Sequence, residues 1–110
     1  MTTTILPNTS YNGQNNDPQD FVSDPLVVFL SNNSTFVFYV LNFTGTIKVQ
    51  ATVLPSKDAT EADWFDVDIQ NLTDHTETYF KNIVGNFNLI RIKGSFTAGT
   101  IEKILMRQGR

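Results

Sequence analysis

The second half of this 110-residue chain is a succession of short stretches in which apolar and polar residues alternate, with glycines between them. Gly45 to Val53 alternates cleanly, Asp63 to Ile69 follows one loop later, and Asn86 to Ile101 holds further alternating stretches around Gly94 and Gly99. Successive side chains on an extended strand point to opposite faces of a sheet. A two-residue period therefore means one face in a core and one in water. The pattern restricts the chain to an all-β fold, an antiparallel β-sandwich or jelly roll of seven to eight strands.

A chain of this length makes one domain and buries enough surface for one core. It has no cysteine, so neither disulfides nor thiolate metal sites hold it together. Its start lacks the basic and apolar segments of a secretory signal, and no run is long enough for a membrane span. The expectation is a soluble protein made in the cytosol, with no membrane partner. Asp, Glu, Lys and Arg make up 17% of the residues, where about 25% is usual. A surface so short of charge is poorly defended against association, which suits a life inside an assembly. No Lys or Arg precedes Lys48, and no basic stripe with interleaved aromatics is present, so no nucleic-acid partner is expected.

Residues 1–25 differ in composition from the rest. A polar, turn-rich stretch from Asn8 to Asp20 lies between Ile5 and Leu6 on one side and Phe21 and Val22 on the other. The reading is an extended N-terminal arm that orders on a neighbouring subunit, with Ile5, Leu6, Tyr11, Phe21 and Val22 as partner-binding anchors. The sandwich would then occupy residues 26–110. Leu26 to Leu30 is a short strand. Thr35 to Phe43 is apolar on both faces, so it is expected either to be central and covered by the arm or a neighbour or to line an intersubunit surface. Ile47, Val49, Ala51 and Val53 face inward on the strand after it. Residues 55–62 form a loop with room for one helical turn. Phe65, Val67 and Ile69 are expected in the core, with Asp66, Asp68 and Gln70 outside. Asn71 to His75 reads as a turn, and Gly85 with Asn86 as a hairpin signal. Ile90 and Ile92 point inward, Arg91 and Lys93 outward. The last strand, from about Gly99 to Arg107, breaks its alternation between Ile101 and Ile104, which suggests a bulge. Phe43-Thr44-Gly45-Thr46-Ile47 is echoed by Phe96-Thr97-Ala98-Gly99-Thr100-Ile101, as two equivalent corners would be.

Few residues suggest chemistry. His75 is the only histidine and has no second histidine or cysteine with which to share a metal. Asp58, Glu61, Asp63, Asp66, Asp68 and Asp74 make an acidic stretch that matches no calcium loop and reads as an exposed strand face. Trp64 between Asp63 and Asp66 has the composition of a sugar-binding platform, and equally that of an aromatic packed at a sandwich edge. The chain carries no phosphate loop and no nucleophile elbow. No catalytic residue, metal or cofactor is assigned, and the chain is expected not to be an enzyme.

The order Gly-Thr-Ile-x-Val-Gln-Ala-Thr at 45–52, Asp-Trp-Phe-Asp-Val at 63–67, Val-Gly-Asn-Phe at 84–87 and Phe-Thr-Ala-Gly-Thr-Ile at 96–101 resembles small virion structural proteins of tailed bacteriophages. The resemblance spans residues 43–107. It implies a jelly-roll-like capsid decoration or cement protein, present in many copies as a homo-oligomer on the virion and bound to the major capsid protein. A neck, tail or baseplate accessory, or a carbohydrate-binding module on the virion surface using Trp64, Asp63 and Asp66, is implied as the alternative.

Overall fold

The computed structural model describes residues 2–6, 19–23, 25–27, 33–55 and 59–108. All the strands are antiparallel and belong to one sheet. β1 (Thr2–Leu6), β2 (Gln19–Val22) and β3 (Leu26–Val27) are short, whereas β4 (Asn33–Thr52), β5 (Phe65–Val84) and β6 (Leu89–Gln108) have 20 residues each. The order across the sheet is β1-β6-β4-β5, with β2 and β3 also paired to β6. Twenty extended residues would span roughly 66 Å, yet the longest dimension of the molecule is 34 Å. Each long strand must therefore fold over on itself partway along.

The fold-over lies at one level across the three strands. Asn42 on β4, Asp74 on β5 and Gly99 on β6 have φ angles of 49°, 44° and 84°, in the left-handed region that Asn, Asp and Gly tolerate best. Threonine hydroxyls take over hydrogen bonds that the ladder drops there. The Asn42 N–H donates to Thr76 Oγ1 at 2.8 Å, and the Asp74 N–H donates to Thr44 Oγ1 at 2.8 Å. Extra residues at the bend also reset the alternation. Buried apolar positions on β4 are Phe36, Phe38 and Val40 before it, and Phe43, Ile47, Val49 and Ala51 after it. The inner face therefore stays inner around the corner.

The result is a sandwich whose two layers share their three main strands. One layer holds β1 with the 33–41, 77–84 and 100–108 segments; the other holds β2 and β3 with the 43–52, 65–73 and 89–97 segments. Their inner side chains form one cluster, with Phe43 and Phe96 at the fold-over, ring centroids 5.4 Å apart. The four residues 85–88 cross from one layer to the other. They are held by the Asn88 N–H donating to Thr52 O at 2.9 Å and by the Phe87 ring lying against Gly85 and Phe65.

Several expectations are corrected by this arrangement. Thr35 to Phe43 and the strand expected after it are one strand, β4, and Asn71 to His75 lies within β5 and not in a turn between strands, because bulges at the bend replace turns. Gly85 and Asn86 do not close a hairpin, since β4 lies between β5 and β6. Val53 lies beyond the end of β4 and is exposed. The 35–43 face opposite the core is only half covered, and Leu41 on it is exposed. A bulge at Val67, where Val49 pairs with Asp68 but Gln50 with Asp66, inverts the alternation that follows. Ile69 is therefore 52% exposed and Gln70 only 6%. The helical turn expected in the loop is present at Glu61–Asp63. The bulge on β6 is present too, at Glu102, between the pairs Val40 with Ile101 and Tyr39 with Lys103. The two echoed corners lie side by side, Thr44 opposite Ala98 and Gly45 opposite Phe96.

The expected arm is also corrected where it is described. β1 and β2 pair with β6 of the same chain, and Ile5 and Phe21 are buried in its core. Phe21 lies opposite Gly94, where its ring fills the space that a side chain would take, and meets Phe96 edge-on at 6.3 Å. Ser23 extends the pairing: its N–H donates to Ile92 O, and its hydroxyl oxygen accepts from the Ile92 N–H, both at 2.8 Å.

Two outcomes follow for stability. Phe21→Ala should lower the unfolding free energy by about 3–5 kcal/mol, measured by urea denaturation of the whole chain, whereas a docking arm would give no loss. Gly99→Ala should cost more than about 2 kcal/mol. Its Cβ would meet the Asn42 carbonyl and lie 2.6 Å from Phe43 Cα, on a backbone that disfavours any side chain. Wild-type stability in that variant would contradict the bend as described.

Candidate functional site

The residues singled out for sugar binding sit where the 59–64 loop closes over the outer face of the 43–52 and 89–97 segments. Arg91, Gln50 and Asp66 are paired across β6, β4 and β5. Their side chains form a polar row: Arg91 Nε donates to Gln50 Oε1 at 2.8 Å, and Gln50 Nε2 donates to Asp66 Oδ1 at 2.9 Å. The Arg91 Nη2 donates to Glu61 Oε1 at 2.6 Å, and the guanidinium carbon lies 4.3 Å from the Trp64 ring centroid. Arg91 is buried on a face where the alternation predicts an exposed residue, because the loop brings Glu61 and Trp64 over it. A buried guanidinium is tolerable only when it is hydrogen-bonded and its charge is met; here Gln50 and Glu61 accept from it and Glu61 supplies the countercharge.

Lys48 and Lys93 lie directly opposite one another, a repulsive pair unless each finds an anion. Lys93 Nζ is 2.9 Å from Glu61 Oε1, and Lys48 Nζ is 3.7 Å from Asp66 Oδ2. Glu61 therefore serves two cations. Hydrogen bonds from Arg91 and then Lys93 hold its carboxyl down at about 2, from 4.5. Asp63 is lowered as well, mainly by the Thr60 N–H, which donates to its Oδ2 at 2.7 Å in a capping box at the helical turn.

Trp64, Asp63 and Asp66 are thus brought to one region but are already engaged within the chain. Arg91 covers one face of Trp64, Asp63 caps the turn, and Asp66 ends the polar row. Beside them lies a shallow depression of about 210 Å³ lined by Asp20, Thr46, Lys48, Gln50, Lys93 and Ser95. Of the anchors expected to bind a partner, Ile5 and Phe21 are buried, Leu6 pairs with Ile104, Val22 is exposed on β2, and Tyr11 lies outside the described residues. His75 pairs with Glu77 at 2.9 Å and meets the Tyr79 ring edge-on. No group of His, Cys, Asp and Glu suited to a metal occurs among the described residues.

A second region was not legible in the sequence. Four of the exposed large apolar side chains, Phe65, Ile69, Phe80 and Val84, lie on β5. β5 is an edge strand paired only with β4 among the described residues. Its bend is strapped from within: the Tyr79 hydroxyl donates to Gln70 Oε1, and Gln70 Nε2 donates to Asp68 Oδ2 at 2.8 Å. Burial, then the charges of Asp68 and Glu77, push the Tyr79 pKa up, which keeps its proton in place for that bond. The alternating pattern hides the exposure of Ile69, because the Val67 bulge has no composition signal.

The loop clamp gives a pH expectation. Glu61 is stabilised as a carboxylate in the folded chain, so its contribution is complete above 4.5 and is lost as pH falls toward about 2. Emission from Trp64, the only tryptophan, should report an acid-side change in that window that Glu61→Gln removes. An unchanged transition in that variant would dissociate the loop from this carboxylate.

No family model and no curated protein matches the chain. Solved structures do share its fold. It is similar to the K3 cleaved adhesin domain of Lys-gingipain from Porphyromonas gingivalis W83, with a TM-score of 0.53, 12% identity and coverage of 98% of this chain and 72% of that one. The K2 domain of Lys-gingipain gives 0.55, 9%, 97% and 70%, and the K1 domain from the same strain gives 0.55, 8%, 99% and 73%. At these identities the likeness establishes a shared β-sandwich architecture.

Proposed function

We propose that the protein works by contact and not by catalysis, as a structural subunit that binds a larger particle. The observation that carries this reading is the pair of exposed apolar side chains Ile69 and Phe80, which line one depression on the edge strand β5, on a surface otherwise short of charge. Exposed apolar clusters of this kind mark protein–protein surfaces. The resemblance of residues 43–107 to virion proteins of tailed bacteriophages is the support for the kind of particle proposed: a shell whose major capsid protein binds many copies of the chain as a decoration or cement protein. Copies that bind only assembled shell stabilise it by mass action. A neck, tail or baseplate position is the same function at another place on the virion.

The likeness to cleaved adhesin domains favours a second reading, a module that binds a surface outside its own particle, glycan or protein. Since Arg91 covers one face of Trp64, a sugar would stack on the other face.

Sedimenting the purified full chain with separated heads and tails of its particle tests the first reading. Saturable, many-copy binding to heads is the expected result, and tail binding would relocate the same role. Absence of binding to either, with retention on immobilised glycans or matrix proteins, would overturn it in favour of the second.

A further inference from the structure

We propose that two copies of this chain pair through β5, antiparallel, about a two-fold axis passing between Asp74 and His75. The proposal rests on the contact-driven reading above and names a second copy as the partner of this edge. Open edges are guarded by proline, by charges, by β-bulges or by very short strands; β5 carries bulges at Val67 and the bend, and its inner-face charges Asp68 and Lys81 are of opposite sign. β5 is 20 residues long, has no proline and has a single lysine.

The register follows from which side chains share a face. Residues directly opposite in an antiparallel pair lie on the same face. Ile69 pairs with Lys48, and Phe80 with Val37; both partners lie on the outer face, opposite to the buried Ile47, Val49, Phe36 and Phe38. Asp68 and Lys81 pair with Val49 and Phe36 and so belong to the inner face. An axis between Asp74 and His75 sets Ile69 opposite Phe80 of the second copy and Asp68 opposite Lys81 of the second copy. Both contacts occur twice. The two most solvent-exposed apolar groups near the bend thus cover each other. Lys81, which has no ion partner among the described residues, gains one. Sliding the pair by one face-preserving step puts Ile69 opposite Thr78 or Asn82 and loses both matches. Phe65 and Val84 fall opposite at the ends of the same register, but the Val67 bulge separates them from the central ladder and they carry no weight here.

The bend supports the pairing. With the axis normal to the sheet at the bend, both copies curve toward their inner faces in the same sense, so the two sheets join into one continuous bent sheet. The depression of about 410 Å³ at this point, lined by Ile69, Leu72, His75, Tyr79 and Phe80 among others, is then shared between the copies. An isologous contact of this type closes on itself and ends at a dimer.

Sedimentation equilibrium of the full chain, without any particle, should show a concentration-dependent dimer and nothing larger. Asp68→Lys and Lys81→Asp should each weaken it about tenfold, because the symmetry counts each pair twice, and the double exchange should restore it. The chain has no cysteine, so Ile69→Cys with Phe80→Cys should give an oxidised covalent dimer, while Ile69→Cys with Thr78→Cys should not. All these positions are solvent-exposed or on the edge, and an unchanged circular dichroism spectrum verifies folding. A monomer at every concentration, open-ended oligomers, cross-linking in the Thr78 control, or no rescue by the double exchange would each overturn the pairing. A dimer would cover the same β5 side chains, so head or tail binding is measured separately, on the Lys81→Asp variant as well as on the native chain.

Discussion

Three neighbouring strands leave the extended conformation at one level, and nearly every other property of this molecule depends on that line. Without it, strands of this length would make a flat sheet with one apolar face in water. With it, the sheet closes over its own inner face and needs no second sheet. The cost is a row of backbone groups that the ladder no longer satisfies. Thr44 and Thr76 meet it with hydroxyls, Asn42 and Asp74 meet it by tolerating positive φ, and Gly99 meets it by having no side chain. Because the corner is shared by β4, β5 and β6, its residues act as a set, each fitted to the backbone beside it.

The two regions outside the core differ in kind. Around Arg91, charges and hydrogen-bonding groups are matched within the chain, so the polar row, Glu61 and Trp64 fasten a loop to the sheet. Along β5, apolar groups and backbone remain available on the open edge. A surface that satisfies itself holds a structure in place, whereas one that does not is where association gains most. That contrast, more than any single residue, directs the functional reading to the edge strand.

How much of this was legible in the sequence depends on what each signal measures. Alternation reports which face is buried, so the all-β class, the inward Ile47, Val49, Ile90 and Ile92, and the β6 bulge could be read from it. It cannot report whether a break in pattern is a turn or a bend. Asn71 to His75 has the composition of a turn, yet hydroxyl bonds exchanged with β4 keep β5 continuous through it. It also misses a bulge inside a run of suitable residues, as at Val67, after which Ile69 and Gln70 exchange places. Arg91 was hidden for a different reason: its burial is made by residues 30 positions away in the loop. The polar stretch before Phe21 suggested separation from the domain, but burial is decided by the apolar residues at its ends, and Ile5 and Phe21 are where the core needed them.

β6 follows the other described strands in sequence and is also the partner of β1, β2, β3 and β4. Before it is synthesised, β4 and β5 can form only a two-stranded ribbon, which is marginal in water. β1, β2 and β3 are separated from it by more than half of the chain, so a large closure entropy must be overcome before the core rewards it. Folding should therefore be slow and should start only after residues near 108 leave the ribosome, with Phe36, Phe38 and Phe43 uncovered until then. The same topology that gives the finished sandwich its shared strands makes the unfinished chain dependent on protection from aggregation.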